Sequence, residues 1–124
     1  MKGRIIALDY GSRRIGVAIS DPEQTVAFPR DVWVGESDEG ILKKLRTLID
    51  AEEAVQIIVG WPLSLQGEIT KQTQETAEFI DKIAVLGVPI EKMDERWTTI
   101  QAERSGGADD VAAQILLDTY LTRG

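Results

Sequence analysis

Neither cysteine nor histidine occurs anywhere in these 124 residues. The first absence excludes disulfides, thiol nucleophiles and zinc sites built on thiolates. The second removes the commonest general base and metal ligand, so any catalysis must run on carboxylates, hydroxyls, Lys, Arg or a bound metal. No apolar run approaches the roughly 20 residues that a membrane span needs. The opening MKGRIIALDYG is interrupted by Asp9 and has no cleavage-type segment after it, so it does not read as a signal peptide. A cytoplasmic protein with no membrane association is expected. Repeats, low-complexity tracts and linkers are missing as well, and residues 1–124 read as one domain.

What is present suits a soluble core: 43% of residues are hydrophobic and 28% charged. The net charge of −7 runs against nucleic-acid binding, which Lys and Arg normally drive. The charge is unevenly spread, however. Acids crowd the stretch Glu36–Glu53, whereas Arg13, Arg14, Arg96 and Arg104 lie near the segments that carry candidate chemistry. A local basic rim on an acidic body is compatible with this distribution.

Lys2–Asp9 is apolar and ended by an acid, which predicts a buried strand. After a turn at Tyr10–Arg13, Arg14–Ser20 returns as its antiparallel partner. Thr25–Val34 predicts a third strand, placed at a sheet edge because Pro29 cannot donate to a ladder. Ser37 caps a helix with Ile41, Leu45, Leu48 and Ile49 on one face. Val55–Gly60 reads as a buried central strand. A helix over Lys71–Leu86, with Ala77, Ile80 and Ala84 inward, closes at Gly87. Val88–Met93 is the fifth strand, Thr98–Gln101 opens a short helix with a capping-box pattern, and Asp109–Leu121 is the last helix. A three-strand meander followed by strand-helix-strand units predicts an α/β protein of the ribonuclease H-like arrangement. Its mixed five-stranded sheet would carry helices on both faces.

The acids at the element ends are the candidates for chemistry. Asp9 ends a buried strand, where a carboxylate must be hydrated, paired or bound to a metal; it is equally a favoured turn former. Asp94 and Glu95 follow the fifth strand. Alternation along a strand allows one of them to reach a shared site but does not say which. Asp109 opens the last helix, where an N-cap is the ordinary role, yet it shares a stripe with Ala112, Ala113, Leu116 and Tyr120. Three such acids, without His or Cys, can make a hard oxygen site for Mg²⁺ or Mn²⁺. Gly11–Gly16 is no phosphate-cradling loop, for it lacks the Gly-Lys-Ser/Thr ending and runs into a strand. Gly60–Gly67 lies between strand and helix, a usual place for a functional loop, although Gly and Pro there also serve ordinary turns.

The segments LDYGSRRIGVAISDP, IIVGWPLSLQGE, DERWTTIQAER and DDVAAQILLDTYL resemble, in order and spacing, the YqgF/RuvX family of Holliday junction resolvase-like proteins, also described as pre-16S rRNA nucleases. The resemblance covers nearly the whole chain and implies the same ribonuclease H-like fold. It implies catalytic acids at Asp9, Asp94, Glu95 and Asp109, with Asp9, Glu95 and Asp109 holding the metal. It also implies substrate contacts from Arg13, Arg14, Ser64, Lys71, Arg96 and Thr98. Between the Glu-Arg of the third segment and the last helix stand only Ser105–Ala108, where the family usually has a longer, often basic stretch. Trp61 and Trp97 also replace aliphatics and could stack on bases or pack.

The implied activity is metal-dependent endonucleolytic cleavage of structured nucleic acid, with rRNA precursor as substrate. Branched DNA or an RNA–DNA hybrid, cut in DNA repair, is the alternative, since substrate choice lies in surface shape. A sugar-kinase or actin-like ATPase opens with a similar hairpin, but one domain is too short for a two-lobed cleft. A non-catalytic nucleic-acid-binding module is disfavoured because every acid is present. A homodimer stays open.

Overall fold

Alternating burial along the strands decides where each helix must go. In β1 (Arg4–Tyr10), Ile6 and Leu8 join one apolar cluster while Ile5 and Ala7 join another. Both faces of the sheet must therefore be covered, as successive side chains point to opposite sides. The computed structural model describes residues 2–95 and 109–122, with only the backbone of Asp109 and Asp110. It contains a five-stranded sheet in the order β3-β2-β1-β4-β5. The strands after β1 are β2 (Arg14–Ser20), β3 (Ala27–Val34), β4 (Ala54–Trp61) and β5 (Ile90–Asp94). β1 pairs antiparallel with β2 and β2 with β3, whereas β4 lies parallel to β1 and β5 parallel to β4. The mixed sheet expected from the sequence is the one observed.

Among the described residues, two helices cover one face and one covers the other. Helix α1 (Asp38–Glu52) buries Ile41, Leu45, Leu48 and Ile49, the stripe expected from its periodicity. Ser37 caps it by accepting the Gly40 N–H at 3.1 Å. Helix α2 (Lys71–Ile83) shares this face, and Tyr10 stacks on its Phe79 with ring centroids 4.3 Å apart. Helix α3 (Asp109–Thr122) covers the other face, with Ala113, Leu116 and Leu117 packed on Ile5, Ala7, Ala18 and Ile58. Among the described residues no helix is long and apolar enough to cross a membrane.

Some boundaries differ from expectation, each for a local reason. β1 runs on to Tyr10, because its ladder with β2 continues to Ile15. β3 begins at Ala27 rather than Thr25, since Asp21 accepts the N–H groups of Thr25 and Val26 and holds them in a turn. β5 begins at Ile90, after Pro89. Helix α2 tightens into a 3₁₀ turn at Ala84–Leu86, closed by Gly87 with φ +79°. Its inward face is also not the expected one. Thr73, Thr76, Phe79 and Ile83 are buried, Ala77 and Ile80 are half-buried and Ala84 is exposed. Threonine is admitted because its hydroxyl is satisfied locally: Thr76 donates to Gln72 O at 2.9 Å and Thr73 to Pro62 O. The helix expected at Thr98 lies outside the described residues.

Leu45 is wholly buried where α1 meets the sheet. Leu45→Ala should lower unfolding free energy by about 2–5 kcal/mol, lost transfer energy plus the residual cavity. Urea titration measures this, and a loss below about 1 kcal/mol would show that the site collapses around the smaller side chain.

Candidate active site

Parallel strands β1, β4 and β5 end side by side, and the residues at these ends are where ligands usually meet an α/β sheet. Strand parity settles which of them share a face. Ile5 and Ala7 face α3, so Asp9, two further along β1, does too. Ile58 faces α3, and Gly60 follows it at the same parity. Met93 packs on that same cluster and Glu95 lies two residues beyond. The Glu95 N–H bonds to Trp61 O at 3.2 Å, which carries the β4–β5 ladder one step past Asp94. Asp9, Gly60 and Glu95 therefore come together, whereas Asp94 is directed to the opposite side. The choice left open by the sequence falls on Glu95.

The carboxyl groups of Asp9 and Glu95 are hydrogen-bonded to each other. Gly60 makes this approach feasible, because a Cβ at this position would overlap the Glu95 carboxyl. Burial, the hydrogen bond to Asp9 and then the negative charges of Asp9 and Asp94 push the Glu95 carboxyl up from 4.5 to about 9. In its protonated form Glu95 donates to Asp9. A divalent cation is the other way to relieve the same repulsion, and the two carboxylates fit a hard cation in donor chemistry. Among the described residues there is no group of three or more acids close enough to hold a metal. Asp109 opens α3, the helix on this face, but its side chain lies outside the described residues.

The expected substrate-binding residues surround this end of the sheet in different ways. Arg13 and Arg14 are exposed at the β1–β2 turn. The small cavity they line with Tyr10, Trp33 and Glu36 opens towards α1, on the face opposite Asp9 and Glu95. Ser64 lies in the β4–α2 loop, where it organises the loop itself: its Oγ accepts Glu68 N–H at 2.9 Å and its carbonyl accepts Gly67 N–H at 2.8 Å. Lys71 is exposed at the first turn of α2, after the N-cap Thr70. Arg96 and Thr98 lie outside the described residues.

Sequence reasoning missed Gly60 as a steric requirement and Thr73 as the anchor of the β4–α2 loop, through its bond to Pro62 O. It also missed that Lys92 Nζ sits 4.3 Å from the centre of the Trp61 ring, so Trp61 packs beneath a cation. Only Gly60 had a usable signal: counting back in twos from Glu95 and Asp9 to apolar Met93 and Ala7 gives a common face.

The model of the family described as "RuvX: Holliday junction resolvase" matches residues 3–123. A protein of Halothermothrix orenii named "Putative pre-16S rRNA nuclease" is 39% identical, over 95% of this chain and 94% of its own length. One of the same name from Dictyoglomus thermophilum is 35% identical, with the same two coverages. Among solved structures, Thermus thermophilus RuvC in complex with Holliday junction substrate superposes with a TM-score of 0.68 at 9% identity, covering 96% of this chain and 93% of that one. The large terminase nuclease of phage G20c superposes at 0.55 and 8% identity, covering 95% and 55%. At these identities the likeness is one of fold, and the fold is ribonuclease H-like.

Two outcomes follow from the pair. Gly60→Ala should displace Glu95 from Asp9 and, with the two carboxyl groups parted, lower the raised Glu95 pKa towards its ordinary value, read by carboxyl-carbon NMR titration; an unchanged titration would show that the glycine is not needed as space. The second concerns pH in the presence of a chelator. Because the folded-state pKa of Glu95 lies above its ordinary value, the folded protein binds the extra proton between about 4.5 and about 9. Its contribution to stability therefore falls as pH rises through that window. Asp21, held down to about 2, titrates below it. Glu95→Gln should flatten the fall in urea midpoint between acidic and alkaline buffer, and a variant as pH-dependent as the parent would contradict it.

Proposed function

The chain belongs to the RuvX family of Holliday junction resolvases, and on that premise we propose that residues 1–124 form one metal-dependent nuclease domain whose substrate is the precursor of 16S rRNA. The observation that carries the reading is the meeting of Asp9 and Glu95 over Gly60 at the carboxyl ends of β1, β4 and β5. Relatives named as pre-16S rRNA nucleases support the choice of RNA. Such a protein would work in the cytoplasm, where its substrate is made.

Asp9, Glu95 and Asp109 would hold Mg²⁺ or Mn²⁺, which supplies positive charge for the phosphate and lowers the pKa of water at neutral pH. The residues of the chain do the remaining work. Asp9 is carried by β1, whose ladder with β2 sets its backbone opposite Gly16. Glu95 is fixed by its backbone bond to Trp61 and by the wall at Gly60. Arg13, Arg14 and Lys71 would engage phosphates on either side of the scissile bond; such contacts set register without reading sequence. The β4–α2 loop, held by Ser64 and Thr73, would give the substrate a rigid wall. Arg96 and Thr98 would add contacts from the segment after Glu95.

The family description also favours a second reading, cleavage of branched DNA or an RNA–DNA hybrid. A cleavage panel of pre-16S rRNA, hybrid and four-way DNA, with and without divalent metal, separates the two. We expect metal-dependent cleavage of the rRNA precursor. Asp9→Asn should be folded and inactive, since the amide is nearly isosteric but brings no charge to a cation. Asp109→Asn should also be stable and inactive, because Asn caps a helix about as well as Asp does. An active Asp109→Asn would reduce Asp109 to a cap, and no cleavage of any member of the panel would remove the nuclease reading.

A further inference from the structure

Asp9 has less backbone pairing to hold it than the residues before it in β1. The ladder with β4 ends at Leu8, opposite Val59, and beyond it only the pairing with β2 continues, to Tyr10 opposite Ile15. The β1–β2 turn then closes, with the Gly11 N–H donating to Arg14 O at 2.9 Å. Side chains alternate across a strand, so a roll of this strand end about its own axis would carry Asp9 away from Glu95 and its neighbour the opposite way. A contact that holds the neighbour resists the roll.

That neighbour is Tyr10, which lies on the face of α1 and α2 while Asp9 lies on that of α3. Its half-buried ring stacks on Phe79 of α2, with centroids 4.3 Å apart and planes 20° from parallel. Phe79 is itself buried, and nearer the start of α2 wholly buried Thr73 donates to Pro62 O. Pro62 follows Trp61, whose carbonyl accepts the Glu95 N–H. Thr73 and Phe79 stand on one buried stripe of α2. The helix therefore grips the strand end beside Asp9 through one side chain and the backbone leading to Glu95 through the other. A roll that moved Asp9 off Glu95 would lift the Tyr10 ring off Phe79, at the cost of a stacked aromatic pair and its buried area.

We infer that Tyr10 and Phe79 are positioning residues for Asp9: their stack, on the face away from the carboxyl groups, holds the end of β1 so that the Asp9 side chain stays against Glu95. That this placement serves catalysis rests on the nuclease reading above; the placement itself does not.

The test uses the full chain in buffer with a chelator and reads the three-bond Hα–Hβ couplings of Asp9 by NMR. The parent and Tyr10→Phe, which keeps the ring, should show the couplings of a single side-chain rotamer. Tyr10→Leu and Phe79→Leu should each average them, and the double variant should be no worse than either, as for residues that act through one contact. Leu45→Ala, a core loss on α1, controls for general loosening and should leave Asp9 in one rotamer. Averaged couplings in the parent or in Leu45→Ala, or a single rotamer in either folded leucine variant, would overturn the proposal. Amide spectra verify folding, and Phe79→Leu carries the test alone if Tyr10→Leu does not fold. Where the parent cleaves pre-16S rRNA, both leucine variants should lose about 10- to 100-fold in kcat with KM kept, since misplacing a reacting group by about 1 Å costs up to about 100-fold. A raised KM with kcat kept would overturn the proposal and make Tyr10 a substrate contact. Couplings as expected without cleavage defeat only the nuclease reading, and cleavage with Asp9 unmoved by either variant defeats only this one.

Discussion

Two carboxyl groups held against each other in a partly dry site repel unless a proton or a cation lies between them. The end of this sheet is arranged to impose that situation. β1 carries Asp9 opposite Gly16 of β2, one residue past the end of its ladder with β4, and the β4–β5 ladder continues far enough to fix the backbone of Glu95. Between them Gly60 leaves the space that any side chain would fill. None of the three residues is unusual alone. Together they bring two carboxyl groups into contact, which pushes Glu95 up to about 9 and leaves a proton or a cation to relieve the repulsion.

The two faces of the sheet divide the labour. The α3 face carries the carboxylates, and α3 itself begins at Asp109, the acid expected to complete the set. The other face carries α1, α2 and, at the same end, the arginines of the β1–β2 turn. A strand of nucleic acid that touches both must pass around the rim of the sheet, which at that end is a turn of only a few residues. This arrangement bears on how an acidic chain meets a polyanionic substrate: Asp9 and Glu95 stand where a cation can neutralise them, and Asp21, Asp31, Glu36, Asp38 and Glu52 are held in hydrogen bonds or ion pairs.

The order of strands and helices was legible because each element carries a local signal. Ser37 and Gly87 punctuate helices, Pro29 forces its strand to the edge, and Ile41, Leu45, Leu48 and Ile49 repeat at helical spacing. The same signals named Asp9, Glu95 and Asp109 as acids at element ends. Helix α2 was misread, since periodicity counts apolar residues and cannot see that Thr73 and Thr76 are buried with their hydroxyls satisfied. That Ser64 organises its own loop was likewise beyond local inspection, because a loop residue can hold its own loop as readily as a ligand.

By itself, then, the sequence determined the chemistry available: without His or Cys, carboxylates and the cations they attract, on a mixed sheet whose register follows from alternating apolar residues. Tertiary structure placed Glu95, and not Asp94, against Asp9. That choice depends on where the β4–β5 ladder stops and on which face α3 covers, both long-range facts. It also gave Gly60 its meaning, for a glycine that closes a strand looks the same in sequence whether or not a carboxyl from another strand lies against it.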